Sequence, residues 1–200
     1  MPQFNSGHSD KNMDNQYKEI EVRFLEVDYP ALVKKLQDLG AEDRGDDLLR
    51  EIIFYDKDLT WMYDVKKFVR LRQTKRGVFM SFKHNQEHSA TGTKEIELTV
   101  SDIEKSKAFL EEVGLVAFRE QEKKRHTFIL GDVTVDIDTW PSVPTYVELE
   151  GPNEESLKAA ATKLGFDWKD VCLKVARFII EEKYGIPVSK LKYFTFGKIE

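Results

Sequence analysis

Apolar and polar residues alternate with a period of two along much of this chain, a pattern that predicts β-strands. In residues 17–24 the apolar residues Ile20, Val22 and Phe24 alternate with Glu19, Glu21 and Arg23. Similar runs predict strands at residues 49–56, 68–73, 78–84, 95–100, 123–128, 133–139 and 148–150. Side chains two apart in a strand share a face, so most of these strands would carry their charges on one side only.

Three of the charged strands are followed by segments whose apolar residues have helical spacing. These segments, residues 30–39, 101–113 and 153–164, begin near a capping candidate and end at a glycine. A fourth helix is predicted near the C-terminus, where Cys172 lies in an apolar stripe. Lys174 and Arg177 flank that stripe, and they are either solvated or reach the mouth of a cavity. Short antiparallel strands with three or four helices predict an α+β protein whose sheet is strongly curved or closed into a barrel.

Composition narrows the classes of protein that remain. The 200 residues suffice for one domain, preceded by a polar N-terminal tail at residues 1–16 that we expect to be disordered. The formal charge of −5 gives no basic surface for nucleic acid, and no apolar run is long enough to cross a membrane. A single cysteine excludes an internal disulfide. We therefore predict a cytoplasmic protein with neither a nucleic-acid nor a membrane partner.

The charged faces become informative when they are added together. If the strands close, one face collects Glu19, Glu21, Arg23, Arg70, Arg72, Lys83, Glu95, Glu97, Lys123, Arg125, Asp136, Asp138, Glu148 and Glu150. An unpaired buried ion costs several kcal/mol, so such an interior must be a wet cavity, with helices packed on the apolar outer face. The alternative is the solvated face of a half-covered antiparallel sheet.

The signs of these charges segregate along the chain, which a generic exposed face would not require. Acidic residues mark the first and last strands, and basic residues mark the middle ones. Clustered carboxylates suit hard divalent cations such as Mg²⁺ or Mn²⁺, and clustered Arg and Lys suit phosphate oxygens. The pattern therefore predicts a site for a metal-bound polyphosphate.

The ordered series of charged strands resembles the CYTH domain, the superfamily of triphosphate tunnel metalloenzymes. Residues 19–23 are similar to its opening Glu-x-Glu-x-Lys signature, although Arg23 replaces the usual lysine. The resemblance covers about residues 17–185 and leaves residues 186–200 as a C-terminal extension. The remaining matches are Arg70 and Arg72, Lys83, Glu95 and Glu97, Lys123 and Arg125, Asp136 or Asp138, and Glu148 and Glu150.

The resemblance implies an eight-stranded antiparallel closed barrel that binds a small-molecule triphosphate. It implies a cradle for the triphosphate in Arg23, Arg70, Arg72, Lys83, Lys123 and Arg125. It implies one or two Mg²⁺ or Mn²⁺ ions on Glu19, Glu21, Glu148, Glu150 and either Asp136 or Asp138. Glu95 and Glu97 lie between basic strands and would orient Arg and Lys or make an outer-shell contact to the metal.

Three functions are compatible with these residues. The first is metal-dependent hydrolysis of inorganic triphosphate, a nucleoside triphosphate or thiamine triphosphate. The second is a class IV adenylyl cyclase that converts ATP to cyclic AMP and pyrophosphate. The third is a non-catalytic polyphosphate-binding module. The protein would act as a monomer or homodimer.

Overall fold

The computed structural model describes residues 18–85 and 93–200. The tail predicted at residues 1–16 lies outside the described residues. Within them, no helix is both long and apolar enough to cross a membrane.

Ten strands form one sheet in the described part of the chain. They are β1 (Lys18–Glu19), β2 (Glu21–Phe24), β3 (Glu42–Asp56), β4 (Lys67–Thr74), β5 (Gly77–Asn85), β6 (Thr93–Val100), β7 (Leu115–Leu130), β8 (Val133–Thr139), β9 (Tyr146–Glu150) and β10 (Tyr193–Phe194). The predicted strands are all present, and β3 and β7 are much longer than their alternating segments. The extra residues at the start of β3 are mostly charged, and they are extended because they pair with β7.

The sheet closes through its first segment. β1 and β2 are separated only by Ile20, and β1 pairs with β6 whereas β2 pairs with β9. The remaining strands connect these two in the order β6-β5-β4-β3-β7-β8-β9, with antiparallel pairing throughout. With the split strand counted once, eight antiparallel strands of the described residues form a continuous circuit, which confirms the predicted barrel. β10 is additional and pairs with β7 in parallel.

The helices lie outside the barrel: α1 (Tyr29–Asp38), α2 (Ile103–Glu112), α3 (Glu154–Leu164) and α4 (Ala176–Tyr184). Side chains cap the first three, since Asp28, Asp102 and Asn153 each accept a hydrogen bond from a backbone N–H of the first turn. The fourth helix begins later than predicted. Cys172 precedes it and forms an isolated β-bridge with Arg23, so the placement of this cysteine in a helical stripe was wrong.

The hydrophobic core lies between the barrel and its helices. Outward-facing residues of β2, β8 and β9, among them Val22, Val135 and Leu149, are buried against Leu36 of α1 and Leu157 of α3. A second cluster places Leu110 of α2 on the outer face of β3 and β4. Because the outer face carries the apolar residues, the inner face is free to carry charge.

Candidate active site

The barrel encloses a cavity of about 510 Å³. Seven carboxylates and eleven basic side chains lie along its wall, so the lining carries a surplus of positive charge. Of the predicted site residues, the lining includes Glu19, Glu21, Arg23, Arg70, Arg72, Lys83, Glu95, Glu97, Lys123, Arg125, Glu148 and Glu150. Asp136 and Asp138 face the same side of the sheet but lie beneath other side chains. A cavity with this charge is suited to a multivalent anion.

Four glutamates from the split first strand and from β9 form one side of the cavity, which we call the acidic wall: Glu19, Glu21, Glu148 and Glu150. Antiparallel pairing sets Glu21 opposite Glu150 and Arg23 opposite Glu148. Opposed residues of an antiparallel pair are only about 5 Å apart, so these side chains meet on the inner face. Arg23 links two of the carboxylates, since its Nη2 lies 2.7 Å from Glu21 Oε1 and 2.7 Å from Glu148 Oε2.

Five basic side chains from β4, β5 and β7 line the same cavity, and we call them the basic cradle: Arg70, Arg72, Lys83, Lys123 and Arg125. Carboxylates from other strands hold them in place. Lys83 Nζ lies 2.8 Å from both Glu19 Oε2 and Glu95 Oε2, and Arg70 Nη2 donates to Glu95 Oε1 at 3.0 Å. Burial alone would lower the pKa of Lys83, but Glu19 and Glu95 raise it to about 12. Lys83 therefore stays charged, and Glu95 orients two members of the cradle. Glu97 lines the cavity and is exposed.

Glu51 is a site residue that the sequence analysis missed. Its side chain is 3% exposed and accepts hydrogen bonds from Arg72 Nε at 2.7 Å and Gln121 Nε2 at 2.6 Å. Arg70 Nη1 lies 3.7 Å away. Burial opposes ionisation, yet Arg72, Arg70 and Lys123 hold the pKa of Glu51 below its usual range. Glu51 is therefore a buried anion that fixes two arginines of the cradle.

Asp138 plays the same part for the other half of the cradle. It is 0% exposed, and its Oδ2 accepts from Lys123 Nζ at 2.7 Å while its Oδ1 accepts from Arg125 Nε at 2.6 Å. Asp136 is also buried and pairs with Arg125 Nη1. Both aspartates thus lie behind the basic side chains and not on the cavity wall.

The acidic wall is crowded with like charges. Burial raises the pKa of Glu19 to about 9, with contributions from Glu21 and Glu95 against the opposing effect of Lys83. Partial burial, followed by the charges of Glu148 and Glu21, raises the pKa of Glu150 to about 7. A bound cation would offset both the burial and the repulsion, and would favour the ionised form of these carboxylates.

All potential metal ligands of the acidic wall are carboxylate oxygens, which is the type of ligand that hard divalent cations prefer. Glu150 has no ion-pair partner within residues 18–85 and 93–200. No group of three or more acidic, histidine or cysteine side chains in those ranges is gathered tightly enough to hold an ion. Arg23 lies between Glu21 and Glu148, and Lys83 lies between Glu19 and Glu95, so these carboxylates pair with basic side chains instead of with one another.

The far end of the cavity is lined by apolar and aromatic side chains with basic residues among them, and the sequence analysis did not predict it. Trp61 and Met62, in a π-helical turn at Trp61–Val65, line it with Tyr55, Phe68 and Phe178. The start of α4 closes this end, because Arg23 Nη1 donates to the Lys174 carbonyl at 3.3 Å and anchors the preceding segment to β2. Of the two basic residues that flank the predicted stripe, Arg177 lines the cavity, whereas Lys174 is exposed and pairs with Glu182.

A family model described as the CYTH domain matches residues 17–173 of this chain. No curated protein has a sequence that matches it. The match includes every predicted site residue, and it ends just before α4.

Solved structures with the same fold come from several organisms. PH1012 protein from Pyrococcus horikoshii has a TM-score of 0.66 at 21% identity, covering 78% of this chain and 96% of its own. A Vibrio parahaemolyticus protein proposed to be an adenylate cyclase has a TM-score of 0.70 at 14% identity, with coverages of 82% and 98%. A Hippeastrum protein proposed as an adenylyl cyclase, and described as having a dominant triphosphatase activity, has a TM-score of 0.60 at 14% identity, with coverages of 84% and 96%.

Proposed function

Because this chain belongs to the CYTH domain family, we propose that it is a divalent-metal-dependent enzyme that hydrolyses a triphosphate inside its barrel. The observation that carries the proposal is the convergence of basic side chains from the neighbouring strands β4 and β5 and from β7 on one cavity that also has an acidic wall. The described triphosphatase activity of the Hippeastrum protein supports hydrolysis as the reaction.

The basic cradle would bind the phosphate oxygens. Arg72 uses only its Nε in the hydrogen bond to Glu51, and a guanidinium carries five N–H donors, so several remain for a phosphate. Charge-assisted hydrogen bonds of this kind are stronger than neutral ones. Because Glu51 and Asp138 already orient the cradle, the side chains need little rearrangement to stabilise the charge that develops in phosphoryl transfer.

The acidic wall would hold Mg²⁺ or Mn²⁺ through Glu19, Glu21, Glu148 and Glu150. Such an ion, when bound, offsets phosphate charge and lowers the pKa of a bound water. We assign Asp136 and Asp138 to the orientation of Lys123 and Arg125, since both lie behind these side chains. We assign Arg23 to the spacing of Glu21 and Glu148, with which it pairs.

The experiment that tests the proposal uses purified protein with Mg²⁺ or Mn²⁺ and three substrates: tripolyphosphate, ATP and thiamine triphosphate. Orthophosphate, pyrophosphate and cyclic AMP are measured for each. We expect orthophosphate that disappears on chelation of the metal. Formation of cyclic AMP and pyrophosphate from ATP would show that the reaction is cyclisation and not hydrolysis. Absence of product from every substrate would indicate a non-catalytic binding module.

A matched pair of variants tests whether the reaction takes place in the cavity. Glu21→Gln removes one carboxylate of the acidic wall and should abolish turnover. Glu155→Gln makes the same chemical change on the exposed side of α3 and should leave the rate unchanged. Full activity of Glu21→Gln would show that the acidic wall has no part in the reaction.

A further inference from the structure

Two arginines at the apolar end of the cavity have no carboxylate partner. Every member of the basic cradle forms an ion pair with at least one carboxylate. Arg119 and Arg177 line the same cavity, and neither has an ion pair in the described part of the chain. The surplus of positive charge in the lining therefore resides partly at this end.

Arg119 is held in place only by neutral groups. It is 5% exposed, its Nε donates to Gln121 Oε1 at 2.8 Å, and its Nη1 donates to the Val188 carbonyl at 2.8 Å. No hydrogen bond of its Nη2 is found among the described residues. Burial lowers the pKa of Arg119, and Arg177 adds to this effect, whereas Tyr55, Glu181 and Glu51 oppose it from a distance. A buried guanidinium that has a second cation nearby, and no carboxylate within ion-pair distance among the described residues, is suited to bind an anion.

Arg177 reaches this place from α4. Its guanidinium lies 4.6 Å from the ring centroid of Phe178, and both side chains line the cavity. The carbonyl of Val188, which fixes Arg119, comes from the segment that follows α4. The C-terminal part of the chain therefore completes this end of the cavity and supplies one of the two arginines there.

The pair is continuous with the basic cradle. On the inner face, Arg70 of β4 is paired with Ile53 of β3, which is paired with Arg119 of β7. Neighbouring strands are about 4.8 Å apart, so the backbones at Arg70 and Arg119 are about 10 Å apart. Gln121 joins them further, since it accepts from Arg119 and donates to Glu51. A chain of phosphates bound to the basic cradle can therefore extend towards Arg119 and Arg177.

We propose that Arg119 and Arg177 form a second phosphate subsite, which selects linear inorganic polyphosphates of four or more units over tripolyphosphate. The inference rests on the proposed function, because it extends the ligand of the same cavity. An uncharged ring bound at this end would form no ion pair with either guanidinium, whereas an additional phosphate would form one with both.

Titration calorimetry in EDTA with tripolyphosphate, tetrapolyphosphate and ATP tests this subsite. We expect tetrapolyphosphate to bind the unmodified protein about tenfold more tightly than tripolyphosphate, the effect of one charge-assisted hydrogen bond. Arg177→Ala should reduce this ratio to about threefold or less, and Arg177→Lys should restore most of it. Lys183→Ala removes a charge from the exposed part of α4 and should retain the full ratio.

Three results would overturn the subsite: no binding of tetrapolyphosphate, a ratio near one in the unmodified protein, or a ratio that Arg177→Ala does not change. A loss of ATP affinity in Arg177→Ala, with the polyphosphate ratio intact, would assign this end of the cavity to the organic part of a substrate. Under the proposed metal dependence, EDTA prevents hydrolysis during these titrations. If the titrations refute the subsite, the proposed hydrolysis is not affected. If the activity assay shows no hydrolysis, the titrations still test the subsite.

Discussion

Replacement of Glu51 by glutamine should destabilise the protein strongly, although the two side chains have nearly the same shape. Glu51 is a buried carboxylate shared by Arg72, Arg70 and Gln121. Glutamine keeps an acceptor oxygen but removes the negative charge. The two arginines would then lie in a buried site with one anion fewer.

The magnitude follows from the burial of the group. Loss of one partner from a buried ion pair costs about 3–5 kcal/mol, because the other charge is left uncompensated. Glu51 is 3% exposed, and the arginines keep some compensation from Glu95, so we expect the lower end of this range, about 3 kcal/mol. For a domain of this size that corresponds to a fall in melting temperature of roughly 10 °C.

Denaturant unfolding followed by circular dichroism measures this change. The control is Glu154→Gln, which removes the same charge from an exposed ion pair with Lys158 and should cost about 0.5 kcal/mol or less. A Glu51→Gln variant as stable as this control would refute the reasoning, because the buried carboxylate would then contribute no more than a surface one.

Three further predictions concern pH, orientation of the cradle and the C-terminal extension. In the folded protein the pKa of Glu51 is held below its ordinary value of 4.5. The stabilisation by the Glu51 carboxylate is therefore complete above pH 4.5 and is lost as the pH falls further. The free energy of unfolding of the unmodified protein should thus fall more steeply below pH 4.5 than that of Glu51→Gln. Asp138→Asn should lower kcat/KM for the accepted triphosphate by about a hundredfold, because two basic side chains lose their common anchor, whereas the exposed Asp167→Asn should not. Phe194→Ala should cost about 3–5 kcal/mol in unfolding experiments, since this buried ring stacks on a tryptophan at 5.9 Å, and the exposed Phe196→Ala should cost about 1 kcal/mol or less.

The inner face of the barrel could be predicted from sequence because it depends on a local rule. Alternation places Arg70 and Arg72, or Lys123 and Arg125, on one side of a strand whatever the rest of the chain does. Helix caps such as Asn153 are equally local, and the structure confirms that one. These local patterns were sufficient to predict which charged side chains share a face, whereas the closed barrel was implied by the family resemblance.

The residues that were missed depend on contacts between distant strands. Glu51 is in phase with Ile53 and Tyr55, so its strand has an apolar pattern until its register with β4 sets it beside Arg72. Arg119 lies upstream of the alternating part of β7, in residues that are extended because they pair with β3. Which carboxylate pairs with which cation likewise depends on register across the barrel, and no pattern within one strand contains that information.

Phosphorus NMR of tripolyphosphate incubated with the protein and Mg²⁺ tests the central claim most directly. Hydrolysis of one terminal phosphate predicts orthophosphate and pyrophosphate in equal amounts, with no change in the spectrum when EDTA is present or when Glu21→Gln replaces the unmodified protein. A tripolyphosphate signal that stays constant in the presence of Mg²⁺ and Mn²⁺, or products that form equally well in EDTA, would contradict metal-dependent hydrolysis of this substrate in the cavity.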